Sequence, residues 1–427
     1  MKNILATLVL IPLLLPVGSA RAADGYVAHE WGTFTSVQGA DGVQLEWNQP
    51  AVSELPGFVY GTPQRPVLGG PAFLTKSVGG ARQRMETPVI YFYSDQAQTV
   101  EATVDFPQGR MTEWYPRAAQ AVPARGPSLA RASQGLLRWD KVEILPPAGN
   151  ARLAAILPMD KSGSHYYAAR ATDANLVRVL DPAAAAKEQI EKFLFYRGVG
   201  HFTAPLTVTQ LGEGEQLQLL NTGTEELRDL FVYTVRDGRG KFMAIDRLPA
   251  GTNRLVKFAP NTGLSPLSTV REELGRQMQA GLVREGLYKR EAAAMVQTWD
   301  DAWFGETGTR VLYTLPRAWT DRVLPLALEP RPRELERVMV GRAELITPAV
   351  DWQLTRLVAR YIEAGQDAAE RAQVVEEARA LGLGRFLEPA TRRLAGKLAA
   401  REFVKASSEL MQAASKPATP DKPLAGR

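Results

Sequence analysis

The chain holds three histidines, His29, His165 and His201, each set among aromatic or glycine residues. Imidazole is the commonest neutral metal ligand and titrates close to physiological pH. Three of them with a carboxylate such as Glu30 or Glu86 have the composition of a zinc-type site with one position left for water. On that reading His29, His165 and His201 are the metal ligands and a divalent metal is the cofactor, with Glu30, Glu86 and Arg197 as the catalytic side chains. The plainer reading makes each histidine a hydrogen-bonded, half-buried residue of a β-rich domain, and their wide spacing in sequence favours it. Glu30 directly follows His29, so on a strand the two point to opposite faces. Thr33 stands where an H-E-x-x-H motif needs its second histidine, which excludes that class of zinc protease.

Arg197 follows Phe193-Leu194-Phe195-Tyr196 and precedes Gly198-Val199-Gly200. A guanidinium held in so rigid a setting can grip a carboxylate with two parallel bonds. An internal partner such as Glu86 is the favoured one. Ser162-Gly163-Ser164-His165 puts a serine beside a histidine but reads as a loop, and no G-x-S-x-G elbow or phosphate-binding loop occurs. Glu113 beside Trp114 and Tyr115, and Asp300-Asp301 near Trp303, have the ingredients of glycoside chemistry. The simpler account puts Trp299 and Trp303 on an apolar helical stripe, with Trp31, Trp47, Trp114 and Trp139 filling a β interior.

The elements that must position these residues divide by period. From residue 24 to about 262 the apolar residues recur every second position in short runs bounded by turns. Strands are expected at Phe34–Val37, Val43–Trp47, Thr87–Tyr93, Thr99–Phe106, Met111–Tyr115 and Leu136–Leu145, then five more between 206 and 258. Asp181-Pro182 reads as the start of a helix running through Phe193. After 263 the period becomes 3.6. A box of Thr269 and Glu272 opens one helix, and Ala292, Met295, Val296, Trp299 and Trp303 stripe the next. Arg310–Leu315 is a lone strand, and Pro348–Ala364, Ala368–Leu381 and Pro389–Ala413 are three closing helices. The expected fold class is α+β. An antiparallel β-sandwich region over 23–262, in one sandwich or two, precedes a mainly helical domain over 263–414 and a disordered tail over 415–427.

The chain's 427 residues are 45% apolar and 23% charged, an ordinary globular balance that rules out fibrous and low-complexity classes. Zero cysteines exclude disulfide staples, thiolate metal sites and a cysteine nucleophile. Lys2, the apolar run Ile4–Leu15 and Ala20-Arg21-Ala22 make residues 1–22 a secretory signal peptide, which implies a periplasmic or secreted protein. Removing it lowers the formal charge from +5 to +3. Thirty-eight arginines against thirteen lysines, with no run of five like charges, do not mark a nucleic-acid partner. No later run is apolar for long enough to span a bilayer.

Several segments resemble a group of uncharacterised exported bacterial proteins. They are His29-Glu30-Trp31-Gly32-Thr33-Phe34-Thr35, Glu86-Thr87-Pro88-Val89-Ile90-Tyr91-Phe92-Tyr93, Glu113-Trp114-Tyr115-Pro116, Phe195-Tyr196-Arg197-Gly198-Val199-Gly200 and Val311–Arg317. The resemblance spans most of residues 26 to about 350, implies export, and brings no activity, cofactor or catalytic residue with it. The leading expectation is an envelope binding or scaffold protein with an unknown ligand or envelope component as partner. The alternative is a metal-dependent hydrolase built on the histidines and carboxylates.

Overall fold

The period-two segments form strands whose buried sides meet in a shared interior. The computed structural model describes residues 25–47, 55–61, 81–122, 134–147, 150–160, 164–180, 188–212 and 214–415. The signal segment 1–22 lies outside the described residues, as does the tail from 416 onward.

The strands of the first half are β1 (Val27–Gly39), β2 (Tyr60–Gly61), β3 (Gln83–Tyr93), β4 (Gln98–Phe106), β5 (Gly109–Tyr115), β6 (Gln120–Val122), β7 (Gly135–Ile144), β8 (Val177–Leu180), β9 (Glu188–Glu191) and β10 (Leu194–Gly200). They continue as β11 (Leu206–Leu211), β12 (Gln216–Asn221), β13 (Leu227–Arg236), β14 (Arg239–Leu248), β15 (Asn253–Lys257), β16 (Ser265–Pro266), β17 (Gly308–Leu315), β18 (Leu326–Glu329) and β19 (Glu334–Ile346). The helices are α1 (Asn150–Ala154), α2 (Leu267–Arg284), α3 (Lys289–Phe304), α4 (Arg317–Val323), α5 (Pro348–Glu363), α6 (Ala368–Ala380), α7 (Leu387–Leu398) and α8 (Arg401–Ala414).

A central ten-stranded sheet runs β16-β14-β13-β17-β19-β1-β3-β10-β5-β2. Its pairs are antiparallel except β1 with β19, which run parallel from Val27–Glu334 to Gly39–Ile346. One face, through Ile90, Phe92, Tyr196, Val232, Val311 and Met339, packs on a six-stranded sheet (β18-β4-β7-β8-β9, with β6 on β7) and on the three strands β11-β12-β15. These three sheets share one hydrophobic cluster, so there is a single sandwich interior. The opposite face, through Trp31, Tyr91, Phe195, Tyr233, Leu312 and Val340, is covered by α2 and α3, whose Leu274, Met295, Trp299 and Trp303 fill the gap. Beside them Val37, Trp47 and Ile346 at the strand ends pack on Leu354, Phe386, Leu387 and Leu394 of the C-terminal helices. Each such large side chain contributes about 1.5–3 kcal/mol when fully buried.

The α+β class and the C-terminal helices agree with the sequence reading, and five details are corrected. The boundary expected at 262/263 does not separate sheet from helix, because β17 and β19 lie in the middle of the central sheet. Arg310–Leu315 is therefore not a lone strand. The helix expected through Phe193 is instead strand over Glu188–Glu191, since β9 pairs with β8 from Leu180–Glu188 to Val177–Glu191, and a bend at Lys192 and Phe193 leads into β10; Asp181–Lys187 lie outside the described residues. The helix at Thr269 begins earlier, at Leu267, with no side-chain cap. The last expected helix is two, broken at Ala399 with φ 51°, which lets Leu394 and Leu410 reach separate apolar clusters. Thr347 and Asp367 cap α5 and α6, each side chain accepting backbone N–H groups of its first turn.

Candidate functional site

Neighbouring strands of the central sheet lose register at one level. β1 shifts against β3 between Trp31 and Thr33, and β10 shifts against β3 between Phe195 and Gly198. β10 also shifts against β5 between Arg197 and Gly198. The sequence accounts for the break locally. Pro88 has no N–H for a ladder, and Thr87 before it adopts a left-handed φ of 51°. Gly32 opposite allows the approach, because a Cβ there would stand 2.9 Å from Pro88 Cα. A bulge re-aims side chains, and a left-handed threonine costs about 1–3 kcal/mol held in place by its surroundings.

The charged side chains of this region share the helix-covered face, in a seam between α3 and the short 3-10 turn Gly384–Phe386. Glu86 accepts a 2.6 Å bond from the Thr35 hydroxyl and a close one from Arg385 Nη1. Arg84 Nε lies 4.0 Å from Glu86, with its guanidinium over the Trp47 ring. Arg197 stands opposite Glu113 across the β10–β5 pair and reaches Thr87 Oγ1 at 3.5 Å. The ions continue along the sheet. Arg385 Nε is 3.6 Å from Glu306, and Arg342 Nη2 bridges Glu306 at 2.5 Å and Glu344 at 2.7 Å. Arg310 pairs with Glu344 at 3.1 Å, and Arg310 and Arg342 also donate to the last carbonyls of α3 at Trp303 and Ala302. Cations at a helix C-terminus meet its negative dipole end.

Electrostatics make the Glu86 end strongly ionic. Burial alone raises a carboxyl, but Arg385, then Arg84, the Thr35 hydroxyl and Arg197 more than offset it and hold Glu86 at about 2. Burial pushes Arg84 down to about 10; Glu86 opposes that shift, and the neighbouring Arg385 and Arg197 add to it. Three guanidiniums here face two carboxylates, Glu86 and Glu113. A carboxylate held so low is ionised throughout the neutral range, a poor general base and no general acid. Glu86 is thus held as a buried anion, first by Arg385 and Arg84, with Arg197 adding a smaller attraction.

The other expected site residues go elsewhere. Glu30 is fully buried on the sandwich side of the sheet, bonded at 2.6 Å to Arg337 and capped by the Tyr196 hydroxyl. It cannot join Glu86 because odd and even residues of β1 face opposite ways. His29 is fully buried and shares a 2.7 Å bond with Glu291 of α3, which also accepts from Tyr93. His165 lies 3.3 Å from Asp301, ten residues further along the same helix and so about 15 Å away. His201 follows β10 where Gly200 pairs with Gln83, while His29 pairs with Tyr91. Eight residues of strand put it about 26 Å from His29, exposed and near Glu46. The three histidines do not meet, and among the described residues no group of three or more His, Asp or Glu is arranged to hold a metal.

Sequence reasoning missed Arg84, Arg385, Glu306, Arg310, Arg342 and Glu344. One signal was present: Val340-Gly341-Arg342-Ala343-Glu344-Leu345 alternates charge with apolar residues, which places both charges on one face of a buried strand.

No family model and no curated protein matches the sequence. Among solved structures, the yeast delta-COP-I mu-homology domain complexed with the Dsl1 WxWxV peptide is 6% identical at a TM-score of 0.27. The same yeast domain without the peptide is 9% identical at 0.29. Each likeness covers 76% of this chain and 98% of the other. At scores this low neither assigns a role to any residue here.

Proposed function

We propose that the chain is an exported cell-envelope protein that binds a small polar ligand over the sheet break at Arg84, Glu86, Arg197 and Arg385. The supporting observation is where the charges are. A row of arginines and glutamates occupies the seam between two helical layers, where apolar residues of similar volume would be as stabilising or more so. Bulges and a strained threonine beneath them are typical of binding and catalytic sites. Arg197, Glu113 and Arg385 are only half-buried and so keep part of their surface exposed to solvent. No helix among the described residues is long and apolar enough to cross a membrane, and the apolar run with its A-x-A end supports export.

The test is a thermal-shift screen of residues 23–427 against polar envelope metabolites, repeated on Glu113→Gln. A ligand at a hundred times its Kd stabilises the folded state by about 2.7 kcal/mol. A saturable shift in the wild type that weakens in the variant supports the reading. Shifts of equal size in both proteins, or none across the library, would remove it. N-terminal sequencing of the exported protein should begin at Ala23; a start at Met1 refutes export by this signal.

A further inference from the structure

Arg385 uses only part of its hydrogen-bonding capacity. Its Nη1 donates to Glu86. Its Nε and Nη2 are buried from solvent and have no hydrogen-bond partner. The nearest carboxylate to Nε is Glu306, whose Oε1 stands 3.6 Å away, beyond hydrogen-bond reach. The other oxygen of Glu306 is engaged by Arg342 at 2.5 Å. Nε and Nη2 form the side-on edge of a guanidinium, the edge that matches two oxygens of a carboxylate or phosphate in one plane. That plane is fixed, because the guanidinium lies over the Phe386 ring at 5.0 Å. Buried donors without acceptors are costly and call for an explanation. The surrounding charge has the right sign: along the whole row five guanidiniums (Arg84, Arg197, Arg385, Arg342, Arg310) face four carboxylates (Glu86, Glu113, Glu306, Glu344).

We infer that the ligand carries an oxyanion, and that two of its oxygens accept from Nε and Nη2 of Arg385. This rests on the ligand-binding reading of the seam and names the ligand's chemical class. Arg84 and Arg197 supply the long-range attraction, and Glu86 holds the guanidinium in position from its opposite edge. The Phe386 ring, packed in the apolar cluster with Trp47 and Leu387, keeps the fork from rotating.

The experiment is calorimetric titration of residues 23–427 at matched ionic strength with succinate, inorganic phosphate and neutral succinamide. It is repeated on Arg385→Lys and Glu306→Gln. Lysine keeps the charge beside Glu86 and loses the fork, so unfolding midpoints in urea report whether the variant is folded. The expected result is saturable binding of succinate or phosphate, none of succinamide, and at least about a tenfold loss in Arg385→Lys. Glu306→Gln should bind as well as the wild type or better. Preference for succinate assigns a carboxylate, and preference for phosphate a phosphoryl group. Unchanged affinity in Arg385→Lys, or succinamide binding as well as succinate, overturns the assignment while leaving a ligand-binding seam. Binding of neither anion to the wild type overturns it too, and the metabolite screen then decides separately whether the seam binds anything.

Discussion

Glu86→Gln is the most informative single change, because the structure sets both its size and its pH dependence. In the folded chain burial raises the Glu86 carboxyl, while Arg385, Arg84, Thr35 and Arg197 together bring it from an ordinary 4.5 to about 2. A group with a depressed folded pKa contributes stability that is present above its unfolded pKa and is lost as pH falls toward the folded one. A difference of about 2.5 units corresponds to about 3 kcal/mol at neutral pH, of which about 2 kcal/mol disappears between pH 5 and pH 3. Glutamine keeps the shape, can still accept from Thr35, and removes the charge. It leaves Arg84, Arg197 and Arg385 with only Glu113 and the more distant Glu306, so the cost at pH 7 should be about 3–5 kcal/mol, the range for breaking a buried pair. The assay is urea unfolding followed by tryptophan fluorescence, on wild type and variant, at pH 7, 5 and 3. The difference between the two proteins cancels the titrating groups that do not interact with Glu86. It should be largest at pH 7 and shrink by about 2 kcal/mol from pH 5 to pH 3. A difference that stays constant over that range, or grows as the pH falls, refutes the argument that Glu86 is held ionised by its arginines.

Three further outcomes follow from the same geometry. His29→Ala should cost about 2–4 kcal/mol, because a buried side chain is truncated and Glu291 keeps only the Tyr93 hydroxyl and the Tyr288 N–H, whereas His165→Ala and His201→Ala should stay within about 1 kcal/mol as partly exposed pairs; equal costs in the urea midpoints would mean the three histidines act together after all. Arg342→Met should lose about 3–5 kcal/mol in the same assay, since Glu306, Glu344 and the Ala302 carbonyl all bond to that guanidinium; a neutral result would show the row of ions to be dispensable. Gly198→Ala should destabilise by about 1–3 kcal/mol, because its Cβ would stand 2.6 Å from the backbone oxygen of Arg110; an unchanged thermal midpoint would mean β5 can move aside.

What the sequence determined by itself was local. Alternation along Thr99–Phe106 and Leu136–Leu145 placed β4 and β7, since a half-buried strand writes its faces into a period of two, and the continuous branched and aromatic run of Thr87–Tyr93, buried on both faces, placed β3. The stripe through Met295, Trp299 and Trp303 placed α3 on the sheet. The parity argument also separated Glu30 from His29 correctly. Tertiary structure decided what local pattern does not encode. β1 and β19 pair although Val27 and Glu334 are 307 residues apart, and no periodicity states which strand a strand will join. Glu188–Glu191 follows a good helix cap yet is strand, because a partner in β8 outweighed a propensity worth only tenths of a kcal/mol per residue. The candidate site was half legible for the same reason. Glu86 and Arg197 could be singled out as an arginine and an acid in rigid settings, but Arg84, Arg342 and Arg385 reach them only through sheet order and the packing of Phe386. The histidines, whose types alone suggested a metal, were parted by strand register and helix rise, quantities that exist only once the chain has folded.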